Sequence, residues 1–416
     1  MINLNGILGI VSEYNPFHNG HLHHLELSKQ LTNTDFTVAV MSGNFVQRGD
    51  TSLVDKWTKA EMALKSGVDL VIELPTVYAI SSAENFADGA VKILNSLGVV
   101  DYISFGSEIG EICPLNDVAS ILYKEPKEFQ ALILAQLKSG LSYPKAREIA
   151  LAQFFGNSKK YSEVLNNPNN ILGVEYLKAL KRHRSHIKPL TIKRDYSDYN
   201  STKVKSGIAS ATAIREMIKN KKNVHYVVPY ETYELLDECI QKGNVVPDLS
   251  VFEKEIIYTL RKLTLTEIAN LPDVSEGLEN KIKVAANTCN TLPELIENIK
   301  SKRYTQTRIQ RILLYALLNI SQKDINASKR TTPYIRVLGF NKHGKRIISA
   351  IAAANPKLKI IVSVKKFMED CNNTTLRNMM SKDIFATNVY TMGFKTNPVA
   401  NLDYTHKVVE AEKGNN

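Results

Sequence analysis

The first hundred residues alternate between two kinds of apolar pattern. Short, nearly unbroken runs rich in β-branched residues occupy Gly6–Ser12, Phe36–Met41, Val68–Leu74 and Asp101–Phe105, and each reads as a strand. Between them, helix-like stretches cover His21–Leu31, Thr58–Lys65 and Ala83–Leu97. Strands separated by single helices predict βαβ units and a mainly parallel sheet. Continuous apolar strands further predict a sheet covered on both faces. The expected fold class is therefore α/β, a doubly wound, mainly parallel Rossmann-like domain.

The pattern changes further along. From about Pro114 to Asn157 it is helical, which predicts an insertion near 114–157. Pro189–Arg194 reads as a fifth strand returning to the sheet. Ser210–Lys222 reads as a helix with Ser210 at its N-cap. These elements define a first domain over 1–222. From Val224 to about Lys329 the chain is helical almost throughout, with breaks at Pro229, Pro247, Pro272 and Pro293. A helical domain over 223–330 follows. In the tail, Tyr334–Phe340 and Lys359–Val364 are strand-like and Lys345–Ala354 is helix-like, so a small basic α/β segment is expected over 331–416.

Charge sharpens this division. The 416 residues carry a net charge of +11 with ordinary globular composition, 44% hydrophobic and 23% charged. Residues 301–416 hold 20 Lys+Arg against 7 Asp+Glu, a net of +13, which leaves 33 against 35 in residues 1–300. A one-sided positive excess suits a nucleic-acid partner, although a solvated basic surface has the same composition. The amino terminus lacks a signal-peptide pattern, and no run of 18 apolar residues would span a membrane. Cys113, Cys239, Cys289 and Cys371 are far apart, which argues against a thiolate zinc site or a disulfide framework. Reduced thiols in a cytoplasmic protein without membrane contact are the simplest expectation.

The chemistry is concentrated just after the first strand, in Glu13-Tyr14-Asn15-Pro16-Phe17-His18-Asn19-Gly20-His21. Its core is H-x-G-H, at the carboxyl end of a strand and the start of a helix. Doubly wound sheets bind ligands there, and a helix N-terminus offers free N–H groups and a positive dipole end to phosphate. Spacing of three places both imidazoles on one side of the first turn. Two surface histidines in an ordinary loop would give the same letters, but the strand context favours a site. A second motif, Ser206-Gly207-Ile208-Ala209-Ser210-Ala211-Thr212-Ala213-Ile214-Arg215, is a close variant of I-S-S-T-x-x-R. Its hydroxyls can reach β- and γ-phosphates, and Arg215 can neutralise charge or anchor the helix.

With both motifs in order, the sequence resembles the HIGH-motif nucleotidylyl transferase superfamily. More closely it resembles the bacterial tRNA(Met) cytidine acetate ligase family. The similarity is carried by VSEYNPFHNGHLHH (Val11–His24), AVMSGNFVQRGD (Ala39–Asp50), GVDLVIELP (Gly67–Pro75), FGSE (Phe105–Glu108) and NPNNILGVEYLKAL (Asn167–Leu180). The resemblance implies an enzyme that forms acetyl-adenylate from acetate and ATP. It then acetylates the wobble cytidine of elongator tRNA(Met) to N4-acetylcytidine, releasing AMP and pyrophosphate. It also implies ATP contacts from the loop Val11, Ser12, Glu13, Tyr14, Asn15, Pro16, Phe17, His18, Asn19, Gly20, His21, Leu22, His23 and His24. Gly106, Arg194 and either Asn169 or Asn170 would join them, with Ser210 from the second motif on the pyrophosphate.

His18 and His21 are the expected catalytic pair, stabilising the α-phosphate as carboxylate oxygen attacks in line. Mg²⁺ is expected to arrive on ATP, with no protein metal site. Lys56 and Arg48 are candidates for extra positive charge near the triphosphate. For the tRNA, the basic C-terminal residues Arg308, Arg311, Arg330, Lys345 and Arg346 are the candidate contacts, with Tyr304, Arg336 and Lys342 beside them. The competing function is a small-molecule nucleotidylyl transferase acting on a cofactor precursor. A non-catalytic RNA-binding protein on the same fold is a third.

Overall fold

The computed structural model of the protein describes residues 6–194, 207–396 and 399–413, except 142, 163, 276 and 302. Its ten strands are β1 (Ile7–Ser12), β2 (Phe36–Ser42), β3 (Phe45–Val46), β4 (Asp50–Thr51), β5 (Leu70–Leu74), β6 (Tyr102–Ser107), β7 (Lys188–Lys193), β8 (Ile335–Phe340), β9 (Ile360–Ile361) and β10 (Val409–Glu410). Eight of them form one sheet in the order β10-β8-β5-β2-β1-β6-β7, with β9 beside β8, while β3 and β4 form a separate hairpin. β1, β2, β5, β6 and β7 are mutually parallel. All seven residues of β2 and all five of β5 are buried, as a sheet covered on both faces requires. The doubly wound α/β expectation holds, and each of its five strands begins and ends within two residues of the expected positions.

The chain runs from β1 outward through β2 to β5, then returns to place β6 on the other side of β1. This reversal opens a crevice outside the carboxyl ends of β1 and β6. Helix Asn19–Thr32 follows β1, and helix Ala83–Leu97 buries nine residues under the sheet. The expected helical insertion consists of Ile112–Lys124, Lys127–Lys138 and Tyr143–Phe154. Helix Pro168–Arg182 then packs against both Ala83–Leu97 and Ile112–Lys124 before the chain enters β7.

The tail departs from a free-standing α/β unit. β8 joins the central sheet antiparallel to β5, with Phe340 opposite Leu70 and Arg336 opposite Glu73. The physical reason is its apolar sequence, interrupted only by Arg336: five of its six residues are buried, which suits an interior strand. A buried charge cluster fixes the join. Lys56 Nζ lies 2.9 Å from Glu73 and 2.7 Å from Asp403, and Arg336 lies 2.9 Å from Glu73 and 2.5 Å from Asp403. Because β8 is antiparallel, helix Lys342–Ala354 starts at the amino edge of the parallel strands, where Asn341 bonds Asp69 at 2.9 Å. Lys342, Lys345 and Arg346 therefore stand on the opposite edge of the sheet from the crevice.

Candidate active site

The crevice is a cleft of about 310 Å³ at the carboxyl ends of β1, β6 and β7. The loop after β1 forms its floor. The Asn15 side chain ties this loop to the hairpin, donating to the Thr51 carbonyl at 3.0 Å and accepting the Leu53 N–H at 2.7 Å. Tyr14 adopts a left-handed backbone (φ 44°), which turns the chain sharply before helix Asn19–Thr32. Lys59, wholly buried on helix Lys56–Lys65, secures the same corner. Its ammonium donates to the carbonyls of Glu13 (3.0 Å), Ser42 (2.8 Å) and Gly43 (2.7 Å) and to Ser52 Oγ (2.7 Å). Burial pushes the Lys59 ammonium down to about 7, against the pull of Glu13 and Glu73.

His18 and His21 come together as expected. Their rings stack with centroids 3.7 Å apart, and the His18 backbone N–H donates to Nδ1 of His21 at 3.3 Å. Tyr14 meets His21 edge-on at 5.0 Å. Gly20 makes the stack possible: a Cβ there would stand 2.9 Å from Cε1 of His18. Burial, then the charge of Arg194, pushes His18 down to about 3 and His24 to about 4. His21 is lowered well below the usual range by burial, then by His18 and Arg194. All three are neutral imidazoles at pH 7. The buried Nδ1 of His18 has no hydrogen-bond partner among the described residues. His24 bonds Ser104 at 3.1 Å through Nε2.

The remaining loop residues divide. Val11, Ser12, Glu13, Tyr14, Asn15, His18, Gly20, His21, His23 and His24 line the cleft. Pro16 and Phe17 are buried outside that lining, and Leu22 packs against the apolar layer on that face of the sheet. Asn19 turns aside, its amide donating to the carbonyls of Gly207 (3.0 Å) and Tyr226 (3.2 Å).

Across the cleft, Gly106 and Arg194 meet. A Cβ at Gly106 would lie 2.9 Å from Arg194 Cδ, so the missing side chain is the space through which the arginine passes. Burial lowers the Arg194 guanidinium, while Glu108 opposes that shift. The two adjacent asparagines take different places. Asn169 lines the cleft, with its Oδ1 3.4 Å from Arg194 Nη1. Asn170 is buried, and its Oδ1 accepts the Glu108 N–H at 2.9 Å and the Ile109 N–H at 3.2 Å. Glu108 answers by accepting the Asn170 N–H at 2.9 Å and the Asn169 amide at 2.7 Å. This reciprocal clamp caps helix Pro168–Arg182 and sets Asn169 and Arg194 at the rim. Neither Glu108 nor Lys59 was picked out by sequence pattern, though Glu108 closes the FGSE segment.

The second motif arrives where it was expected. Ser210 caps helix Ala211–Lys219 by accepting the Ala213 N–H at 3.1 Å, and it lines the cleft. Arg215 anchors this helix to the first motif, donating to the Asn15 carbonyl at 3.0 Å. Ser206 lies outside the described residues. Arg48 lines the cleft, its guanidinium lowered to about 10 by burial and favoured by Glu13. Lys56 does not: it belongs to the buried cluster beneath β5.

The basic C-terminal candidates scatter. Arg308 donates to the Asp273 carbonyl at 2.9 Å from Nε and covers Tyr304 at 4.9 Å. Arg311 is 11% exposed and paired with Asp273 at 3.0 Å. Both face into the helical domain, because helix Gln306–Leu317 buries one side against its neighbours. Arg336 is in the buried cluster. Arg330, Lys345 and Arg346 are exposed, with Lys345 paired to Glu410 and Arg346 over Phe36.

Similarity to known proteins agrees with this geometry. The HIGH Nucleotidyl Transferase family model matches residues 5–404. A tRNA(Met) cytidine acetate ligase from Thermoanaerobacter sp. (strain X514) is 48% identical over 97% of this chain and 100% of its own. The ligase of the same name from Acetivibrio thermocellus is 42% identical over 97% of this chain and 99% of its own. Thermotoga maritima TmcAL, solved in its apo form, superposes with a TM-score of 0.93 at 35% identity, covering 98% of this chain and 100% of that one. The same protein solved with bound alpha-thio ATP gives 0.91. A match that runs nearly end to end, over a cleft built from both motifs, places this chain in the HIGH nucleotidyl transferase family, among the tRNA(Met) cytidine acetate ligases.

Proposed function

We propose that the protein joins acetate to ATP and passes the acetyl group to the wobble cytidine of elongator tRNA(Met). In the first step an acetate oxygen attacks the α-phosphorus, the bond to the bridging oxygen breaks, and acetyl-adenylate and pyrophosphate form. In the second, the cytidine N4 amine attacks the acetyl carbonyl. AMP leaves with the electron pair, and one proton is released.

One observation carries this reading. His18 and His21 stack as neutral imidazoles at the start of the first helix, facing a cleft whose other wall carries Arg194. With Nδ1 of His21 accepting from the backbone, its proton sits on Nε2, a donor available to a phosphate oxygen. Neutral donors stabilise charge that develops in the transition state without over-binding the ground state. Arg194, Arg48 and the N-terminus of helix Ala211–Lys219 supply the positive potential for the triphosphate, and Ser210 is placed for the leaving pyrophosphate. Asn169, rather than Asn170, is the asparagine that reaches ATP. Magnesium enters as part of the MgATP substrate.

The test is direct. The protein is incubated with ATP, labelled acetate and elongator tRNA(Met), and the tRNA is digested to nucleosides. Label on N4-acetylcytidine is expected. If acetate-dependent ATP–pyrophosphate exchange and labelled cytidine are both absent, the reading fails.

A further inference from the structure

Lys342, Lys345 and Arg346 stand at the far edge of the sheet, and Arg308 and Arg311 point inward. A base that enters the cleft must bring its neighbouring nucleotides over the rim. On the Asn19 side, the turn that follows helix Ala211–Lys219 lies against the loop that carries His18.

This turn is pinned to the catalytic loop. The Asn19 N–H donates to the Val227 carbonyl at 3.1 Å, and the Asn19 amide donates to the Tyr226 carbonyl at 3.2 Å. Asn19 is the immediate neighbour of His18, so the turn is held one residue from the reaction centre. It exposes aromatic rings. Tyr226 is 46% and Tyr230 67% exposed. The His225 ring, also exposed, meets Tyr226 edge-on at 5.5 Å and Tyr233 at 6.3 Å. Beside them Lys221 and Lys222 are exposed, while Lys219 is paired with Asp248 at 2.9 Å. Tyr230 opens the next helix, Tyr230–Gln241, where its hydroxyl donates to Glu234 and Glu231 follows it.

We infer that the rim formed by Lys221, Lys222, His225, Tyr226 and Tyr230 receives the unpaired loop nucleotides that flank the acetylated cytidine. This inference rests on the function proposed above. Unpaired bases have exposed π-faces, and aromatic side chains beside cations are the usual way to hold them without reading every base. The lysines face the loop phosphates, and the carboxylates of the next helix mark where the phosphate path ends. The turn's two bonds to Asn19, which stands between His18 and Gly20 of the cleft lining, select RNA loop over other occupants.

The full-length protein tests this with Tyr226→Ala, with His225→Ala, and with Lys221→Gln combined with Lys222→Gln. Tyr226 accepts the Asn19 amide through its backbone carbonyl, so its replacement leaves that bond in place. Acetate-dependent ATP–pyrophosphate exchange is expected to stay within about twofold of the unmodified protein. Binding of elongator tRNA(Met) is expected to weaken about tenfold in Tyr226→Ala, the effect of losing one stacked base. The double lysine variant is expected to flatten the dependence of log affinity on log salt by about 1.4, from two lost phosphate contacts. Variants that bind and acetylate tRNA as well as the unmodified protein overturn the surface and leave the proposed function standing. An unmodified protein that binds no tRNA overturns both. Loss of exchange in parallel with tRNA binding also overturns the surface, because the residues would then belong to the ATP site.

Discussion

The His18 backbone N–H donates to Nδ1 of His21, and that single bond decides which nitrogen of a neutral His21 carries the proton. A neutral His21 then carries its proton on Nε2. His21→Ala removes that donor and also the ring stacked on His18 at 3.7 Å. Loss of one preorganised donor to a developing charge costs about 10²–10³ in kcat. We expect a fall of that size in acetate-dependent pyrophosphate exchange, with a smaller change in KM for ATP. Steady-state kinetics at saturating acetate check it.

The same burial fixes a pH response. His18 and His24 are pushed down to about 3 and about 4, so neither gains a proton as the medium falls from pH 8 to pH 6. These two histidines are therefore expected to add no change in ATP affinity of the free enzyme over that interval, in which Lys59, lowered to about 7 by burial, is the group at the cleft corner that titrates; a rise in affinity through pH 6.5 that persists in Lys59→Met would mean imidazolium binding instead. Stability behaves differently. In the unfolded chain these histidines titrate near 6.5, above their folded values, so the unfolded state binds more protons below that pH. Their contribution is complete above pH 6.5 and is lost as pH falls through 4 and then 3. Thermal melts between pH 7 and pH 4 are expected to show a falling midpoint, and His24→Asn should reduce the slope.

Arg194 crosses β6 in the space that Gly106 leaves open. Gly106→Ala would put a methyl group 2.9 Å from Arg194 Cδ and 3.0 Å from its Cγ. The guanidinium must then swing away from Asn169, while the strand itself remains paired on both sides. The expected outcome is a KM for ATP raised about tenfold with nearly unchanged thermal stability. Glu108→Gln approaches the same geometry from behind, because a neutral amide accepts the Asn169 and Asn170 donors less strongly than a carboxylate does. Titration of ATP against both variants should show the same direction of change, with Gly106→Ala the larger.

Much of this site was legible because its chemistry is local. H-x-G-H lies within four residues at the end of an apolar strand, so periodicity alone placed His18 and His21 at a sheet's ligand edge. Side-chain direction was not legible. Asn169 and Asn170 are neighbours on one helix, turned about 100° apart, and only packing shows which one meets the cleft. Arg308 and Arg311 share a helix face, as their spacing predicts, but the sequence does not say that this face looks inward at Asp273. Long-range partners were equally hidden. Lys59 reads as a surface lysine in DKWTKAE, and its four acceptors come from three other segments of the chain. The tail's basic composition suggested a lobe of its own, whereas the apolar run of β8 placed it in the main sheet.

That placement depends on a charge cluster that can be broken selectively. Arg336 is 4% exposed and spans Glu73 on β5 and Asp403 near the chain's end. Lys56 touches the same two carboxylates from the other side. Asp383 adds a third acid, pushed up to about 7 by burial and then by Glu73, with Tyr334 donating to it. Arg336→Met would leave Glu73 and Asp403 sharing one cation, Lys56, inside the protein. Removing one partner of a buried pair typically costs about 3–5 kcal/mol, since the remaining charge is neither solvated nor matched. We expect Arg336→Met to lower the unfolding free energy by that amount, read from denaturant titration, and to loosen the C-terminal segment first, as greater hydrogen exchange across β8 and β10. Arg336→Met combined with Glu73→Gln should recover part of the loss, because the remaining Lys56 and Asp403 then balance. Equal destabilisation by the single and double variants would show that the packing of β8 against β5, and not the charge balance, holds the tail in the sheet.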